Sequence, residues 1–141
     1  MGQVEDNVGL VHTALRVVFS EGQVNQIDTY FADDFVQHSP YTPPGGREEL
    51  RQWWSGMLHA IPDVTTTVTG TVGGASEVAT FRIVSGTIRN DMPDFGIKAA
   101  GQPIEFRVAD NFTIRDHEIV SHWEVADTGP LVALALASPA P

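Results

Sequence analysis

A chain of 141 residues has the size of one ordinary domain, and nothing in it repeats or reads as a long linker, so a single domain over 1–141 is expected. Its 42% apolar and 18% charged residues suit a globular core, while a net charge of −10 opposes nucleic acid and anionic membrane surfaces, which the average field repels. Cysteine is absent, which removes disulfides, thiolate metal ligands and a cysteine nucleophile together.

Glu5 and Asp6 stand where a secretory leader would carry basic residues, so a cytoplasmic location is the expectation. The apolar stretch Leu131 to Ala137 is far shorter than the ~20 residues a membrane-spanning helix needs. Val4, Val8, Val11, Leu15, Val18 and Phe19 recur every three or four residues, which predicts an amphipathic helix ending near Gly22. The same period over Val24 to Phe31 predicts a short second helix, broken by Asp33 and Asp34. Phe35 to His38 reads as extended, and Ser39-Pro40 with Pro43-Pro44-Gly45-Gly46 reads as a loop carrying Tyr41.

Arg47 to Ala60 predicts a third helix, with Glu48 and Glu49 in its first turn, an apolar face of Leu50, Trp53, Trp54, Met57 and Leu58, and Pro62 beyond its end. From Asp63 onward Thr, Val and Gly alternate, which predicts strands at about Val64 to Val72, Glu77 to Arg89, Pro103 to Arg115 and Glu118 to Ala126. Gly73-Gly74 and Asp116-His117 mark hairpin turns. Asn90 to Gly101 is too long for a tight turn and reads as either a mobile rim loop or a covering flap. Helices followed by hairpin-connected strands make an α+β domain in which a curved antiparallel sheet wraps against the helices and can enclose an apolar pocket.

If Glu118 to Asp127 is uniformly extended, Ile119, Ser121, Trp123, Val125 and Asp127 share a face, with a carboxylate closing an apolar row. Asp127 is then a candidate general acid/base, because burial raises a carboxyl pKa toward neutrality. Asp before Thr-Gly-Pro is equally a turn signal. Two residues beyond Val36, His38 is a possible partner to a substrate oxygen, or a residue held by the Ser39-Pro40 turn. On the strands, Phe81 shares a face opposite Arg82, and Phe106, Val108, Asp110 and Phe112 share a face opposite Arg107; alternation leaves open which is concave. Asp110 is therefore either a second pocket acid or the partner of Arg82 or Arg107. His122 lies opposite Trp123, and none of the five histidines has a ligand spacing such as H-x-x-x-H, so no metal is expected. Nucleophile-elbow, phosphate-loop and dinucleotide motifs do not occur.

The runs Tyr30 to Pro40, Gly46-Arg47-Glu48-Glu49-Leu50, Ser85-Gly86-Thr87, Gly101 to Phe106 and Glu118 to Trp123 followed by Asp127 together resemble the SnoaL-like polyketide cyclase family. That resemblance implies the cone-shaped α+β fold shared with nuclear transport factor 2, ketosteroid isomerase and scytalone dehydratase. It further implies three N-terminal helices on a curved sheet around an apolar pocket, no cofactor, and acid–base ring closure of a hydrophobic ketone-type small molecule. By the same resemblance Asp127 is the general acid/base and His38 lies at the pocket wall. Tyr41, Trp53, Trp54, Met57, Phe81, Phe106, Asp110 and Trp123 are the expected substrate-binding residues. Two departures stand out: Ile88 follows Gly86-Thr87 where many relatives carry histidine, and His117 stands where a turn glycine is common. Isomerases, dehydratases, epoxide hydrolases and non-catalytic binders share the fold, so the reaction stays open. The apolar tail after Pro130 is expected to seal the cone or contact a second copy, and a homodimer through the convex or open sheet face is anticipated, partly from the family.

Overall fold

The computed structural model describes residues 2–138. Helix α1 (Gln3–Phe19) turns its apolar stripe of Val11, Leu15 and Val18 inward. A 3-10 turn at Val24–Gln26 leads into the one-turn α2 (Ile27–Tyr30), so only part of the second expected helix is α-helical. Strand β1 (Phe31–Ser39) starts directly afterwards. Asp33 and Asp34, expected to break the chain, instead lie exposed within that strand, where Asp34 meets Arg115 at 2.8 Å. The Pro-rich loop is also partly a strand: β2 (Thr42–Gly45) pairs antiparallel with β1 at the sheet edge, where proline costs no inner ladder bond.

Helix α3 (Arg47–Ala60) starts with Glu49 accepting the Gly46 backbone N–H at 3.2 Å. Strands β3 (Thr65–Gly73), β4 (Glu77–Thr87), β5 (Pro103–Arg115) and β6 (Glu118–Ala126) fall within two residues of the expected bounds. They form one open, curved six-stranded sheet in the order β2-β1-β6-β5-β4-β3. It is not wholly antiparallel, because β1 runs parallel to β6. Nor are the helices all N-terminal: α4 (Gly129–Ala137) closes the described chain and buries Leu131 against the core. The α+β class holds, and α4 adds a C-terminal helix to the three expected ahead of the main strands. No helix among the described residues is long and apolar enough to cross a membrane.

Two local features carry the geometry. At Gly86 any Cβ would collide with Ile61, where the chain leaves α3, and Thr87 donates to Asp63 through its backbone N–H and its hydroxyl at 2.8 and 2.9 Å. The Gly-Thr pair thus ties β4 to the end of α3. Ile88, which follows that pair, is fully buried in the core. Between β4 and β5, Met92 and Ile97 bridge around a 3-10 turn at Pro93–Phe95 and are themselves buried, so this segment is a packed cover.

Candidate active site

Curvature puts one face of β4, β5 and β6 against the helices, and on that inner face an ionic cluster sits among apolar side chains. Thr80, Asp110 and Glu124 are direct cross-strand neighbours, while Phe112, His122 and Gln37 form the adjacent row. Asp110 is buried and both its oxygens are fully engaged. Arg82 donates to them from Nε at 2.7 Å and Nη2 at 3.0 Å, Thr80 donates its hydroxyl at 2.8 Å, and His122 Nε2 lies 2.7 Å away. Burial alone would raise the Asp110 carboxyl, but the Arg82 guanidinium and the His122 hydrogen bond overcome it and hold the acid well below the usual carboxylate range. Burial likewise works against the Arg82 charge, and Asp110 with Glu124 reverses that, keeping the guanidinium firmly protonated.

His122 stacks on Phe112 at 4.2 Å, and its Nδ1 faces Gln37 Oε1 at 2.8 Å. Its two nitrogens are therefore committed to protein partners. Glu124 is the loose member: its single polar contact is Arg82 Nη2 at 3.5 Å, and its side chain is 18% exposed. The outermost carboxylate of the cluster thus keeps lone pairs free for something other than protein.

Those lone pairs border two hollows. An inner cavity of about 60 Å³ is walled by Trp53, Trp54, Met57, Phe106, Val108 and Leu131, with Glu124, Arg82 and Tyr41 also at its surface. A neighbouring pocket of about 100 Å³ is lined by Gln37, Ser39, Thr42 and Leu50 and again by Tyr41, Trp53 and Glu124. In the inner cavity Glu124 is the sole carboxylate among the described lining residues. Trp54 faces it from α3, and the Trp54 indole Nε1 is a buried donor with no partner in the protein. A buried N–H rarely stays unpaired, because leaving it so costs about 1–3 kcal/mol.

Trp53, Trp54, Met57 and Phe106 lie where pocket residues were expected. Tyr41 is a wall residue too, but its phenol is spent. It donates to the Ala126 carbonyl at 2.6 Å and accepts the Ala126 N–H at 3.0 Å, filling both backbone positions beyond the end of β1. Asp110 lies beneath the cavity as the partner of Arg82, one of its two anticipated roles, and does not line it.

Four expected positions fall on the outer face. Asp127 is exposed and accepts the Gly129 N–H at 3.0 Å, closing a turn ahead of α4. Trp123 and Phe81 are about half exposed, and His38 stacks on Trp123 at 4.3 Å, outside the sheet. For Trp123 and Asp127 the cause is a β-bulge in β6. Thr113 pairs with Ser121 but Ile114 pairs with Ile119, so Val120 is an extra residue that reverses the alternation. Ile119 and His122, three apart, both point inward, and everything assigned to the Ile119 face beyond the bulge points out. Glu124 was missed for the same reason, since no residue type in Ile119-Val120-Ser121 announces a bulge.

Among the described residues one set of side chains could chelate a cation: Asp110, His122 and Glu124, whose ligand atoms lie within 4.8 Å of one another. Arg82 already supplies the positive charge at that spot, and Asp110 has no lone pair left to offer. His38, His122 and Asp127 do not converge on a metal site, because His122 is on the inner face of the sheet and the other two are on the outer.

The family model for SnoaL-like polyketide cyclases matches residues 9–133. The chain belongs to the SnoaL-like polyketide cyclase family. AclR from Streptomyces galilaeus, a proposed hydroxylase, is 19% identical with a TM-score of 0.84, the match covering 96% of this chain and 99% of that one. A proposed polyketide cyclase from Acidithiobacillus ferrooxidans is 20% identical with a TM-score of 0.82, covering 98% and 100%. IdmH from Streptomyces antibioticus, a proposed polyketide cyclase, is 26% identical with a TM-score of 0.78, covering 94% and 98%. A protein of ketosteroid isomerase-like fold from Catenulispora acidiphila, solved with trimethylamine, also matches, at 20% identity and a TM-score of 0.73. These likenesses agree with the α+β fold of helices on a curved open sheet described above. No functionally curated protein matches it.

Proposed function

We propose that this SnoaL-like chain is a cofactor-independent acid–base catalyst that closes a ring in a hydrophobic ketone by intramolecular aldol addition, with Glu124 as the proton-transferring group. The observation that carries the reading is that one apolar cavity is lined both by a lightly held carboxylate, Glu124, and by Trp54, whose buried indole N–H has no partner in the protein. Enolisation needs a base at the carbon and a donor at the oxygen. Glu124 takes the proton from the carbon next to the ketone, and the Trp54 indole N–H donates to the oxygen as negative charge builds there. The enolate carbon then attacks a second carbonyl of the same molecule, and the proton on Glu124 passes to the new alkoxide, restoring the carboxylate. Arg82, fixed by Asp110, which Thr80 and His122 hold in turn, contacts Glu124 from behind.

Exchange of the α-protons of 1-tetralone for deuterium, followed by NMR, isolates the first half of this sequence. Glu124→Gln is expected to slow protein-catalysed exchange by ~10²–10⁴, the usual worth of a positioned general base. Equal exchange by both proteins would end the assignment.

We also infer a homodimer built on the outer sheet face. Phe81, Ala109 and Val125 are cross-strand neighbours there, and with Trp123 and Val72 they present an apolar strip, Phe81 being 53% and Val125 59% exposed. Light scattering at micromolar concentration is expected to give twice the monomer mass, and Trp123→Arg to halve it.

A further inference from the structure

In the proposed sequence Trp54 donates to the enolate oxygen, but the second carbonyl, whose oxygen becomes an alkoxide, also needs a donor. The hydrogen bonds of His122 point to it. Asp110 is held ionised, so its Oδ1, 2.7 Å from His122 Nε2, can only accept, and Nε2 carries a hydrogen. On the other side of the ring, Nδ1 faces Gln37 Oε1 at 2.8 Å, and an amide oxygen likewise only accepts. Nδ1 therefore carries a hydrogen too. Charge gives the same answer independently. The inner cluster sets two carboxylates, Asp110 and Glu124, against one guanidinium, Arg82, and buried charge is tolerated where it is paired. His122, Asp110 and Glu124 bring a ring nitrogen and carboxylate oxygens within 4.8 Å of one another, so a second cation at His122 makes the cluster neutral. The other ionisable groups on that side are Glu49 on α3 and the Tyr41 phenol, both lining the pocket that Gln37 borders.

A ring that donates from both nitrogens orients the Gln37 amide: the oxygen is taken, and the amino group is the end left over. Gln37 is half-buried at the second pocket of about 100 Å³, which it lines together with Glu124, and no described residue accepts from its amino group. We propose that His122, hydrogen-bearing at both nitrogens, is the positioning residue that makes Gln37 present an N–H donor to the pocket beside Glu124, where Gln37 holds the oxygen of the second carbonyl. As the enolate carbon bonds to that carbonyl carbon, the π electron pair moves onto the oxygen, which Gln37 steadies while the proton on Glu124 passes to it. A His122 with a bare Nδ1 would turn the amide over and show the pocket an acceptor, which a carbonyl oxygen avoids. The carbonyl at Gln37 rests on the reading of Glu124 as the proton-transferring group, whereas the hydrogens on His122 do not.

Nitrogen NMR of the full chain reads the ring hydrogens directly. Both His122 nitrogens are expected to give the signal of a hydrogen-bearing nitrogen under conditions where exposed His117 shows one bare nitrogen. Adding 2,5-hexanedione, a slim diketone able to close on itself by aldol addition, is expected to move the Gln37 side-chain amino signals. Gln37→Glu keeps an acceptor for His122 Nδ1 but offers the pocket no donor. It should leave both His122 signals in place and weaken diketone binding about threefold to tenfold, the effect of one hydrogen bond. Gln37→Leu should weaken binding as much and also strip the hydrogen from Nδ1, so the pair of variants separates holding His122 from holding the ketone. Should neither variant fold, the signals of the unaltered protein decide. A bare nitrogen on His122, Gln37 amino signals unmoved by the diketone, or equal binding by Gln37→Glu would each overturn the proposal. Equal α-proton exchange by Glu124→Gln, with the His122 and Gln37 signals as expected in the unaltered protein, would end the role of Glu124 and uphold the donor.

Discussion

The two faces of β4, β5 and β6 are made by the same residues taken alternately, yet they solve opposite problems. On the inner face Thr80, Arg82, Asp110 and His122 are buried and mutually saturated, and the one side chain left partly free, Glu124, borders the cavity. On the outer face Phe81, Ala109, Val125 and Trp123 stand exposed, and the ionisable groups Arg107, Glu105 and Asp127 are scattered. Within an otherwise apolar inner face charge is thus clustered where water is excluded, and within a largely polar outer face an apolar strip is displayed, a local inversion of the usual partition. Such an inversion is informative because buried charge and exposed apolar area both need a reason beyond stability.

The sharpest way to break this contrast is to remove one charge from each face. Asp110→Ala leaves buried Arg82 with only the looser Glu124 contact at 3.5 Å, and losing the close partner of a buried pair costs about 3–5 kcal/mol. Arg107→Ala, exposed on the same strand, is expected to stay within about 0.5 kcal/mol. Denaturant midpoints measured at unchanged slope separate the two. Similar losses from both variants would mean that the inner cluster is not the tightly coupled unit its distances describe.

Acid tests the same cluster without mutation. The Asp110 carboxyl is held below its ordinary range in the folded protein, so between its folded pKa and the unfolded value near ~3.9 the unfolded chain binds the extra proton. The stability contributed by this group is complete above about pH 4 and drains away as pH falls below it. A melting temperature that declines steeply below that point, and less steeply in a folded Asp110→Asn protein, is the expected outcome. Identical acid profiles in the two proteins would remove Asp110 from the account.

How much of this was legible beforehand differs by level. Helix period, the Thr-Val alternation and the Asp116-His117 turn give α1, α3 and β3 to β6 to within a few residues, because those signals are local. At the turn, Asp116 and His117 take φ of 52° and 62°, the paired positive values of a tight hairpin, without the glycine usually found there. The pairing of β1 beside β6 was not legible, since a parallel neighbour far away in sequence leaves no periodic trace. Least legible was the bulge at Val120. One uninserted-looking residue exchanges the faces of β6, and with them Asp127 for Glu124. On β4 the apolar Phe81 and Ile83 suggested an inward face, but their cross-strand partners Ala109 and Arg107 lie outside, and Arg82 is inward opposite Val108. Alternation gives two faces and never says which is covered; that is settled by the neighbouring strand.

The smallest expected effect distinguishes the two acids that exchanged places. Asp127 accepts one backbone hydrogen bond at an exposed turn, and a single such bond is worth roughly 0.5–1.5 kcal/mol. Asp127→Ala should lower stability by about that amount, through a looser start to α4, while Asp127→Asn keeps an acceptor oxygen and should change it very little. Neither should slow deuterium exchange into 1-tetralone, because the Asp127 side chain lies on the face of the sheet opposite the inner cavity. A large rate loss in Asp127→Asn with stability intact would return the proton-transferring role to the end of β6 and require the turn before α4 to fold inward when ligand binds. The asparagine variant therefore carries more weight than the alanine one, since it removes the titratable group while sparing the hydrogen bond that holds the turn.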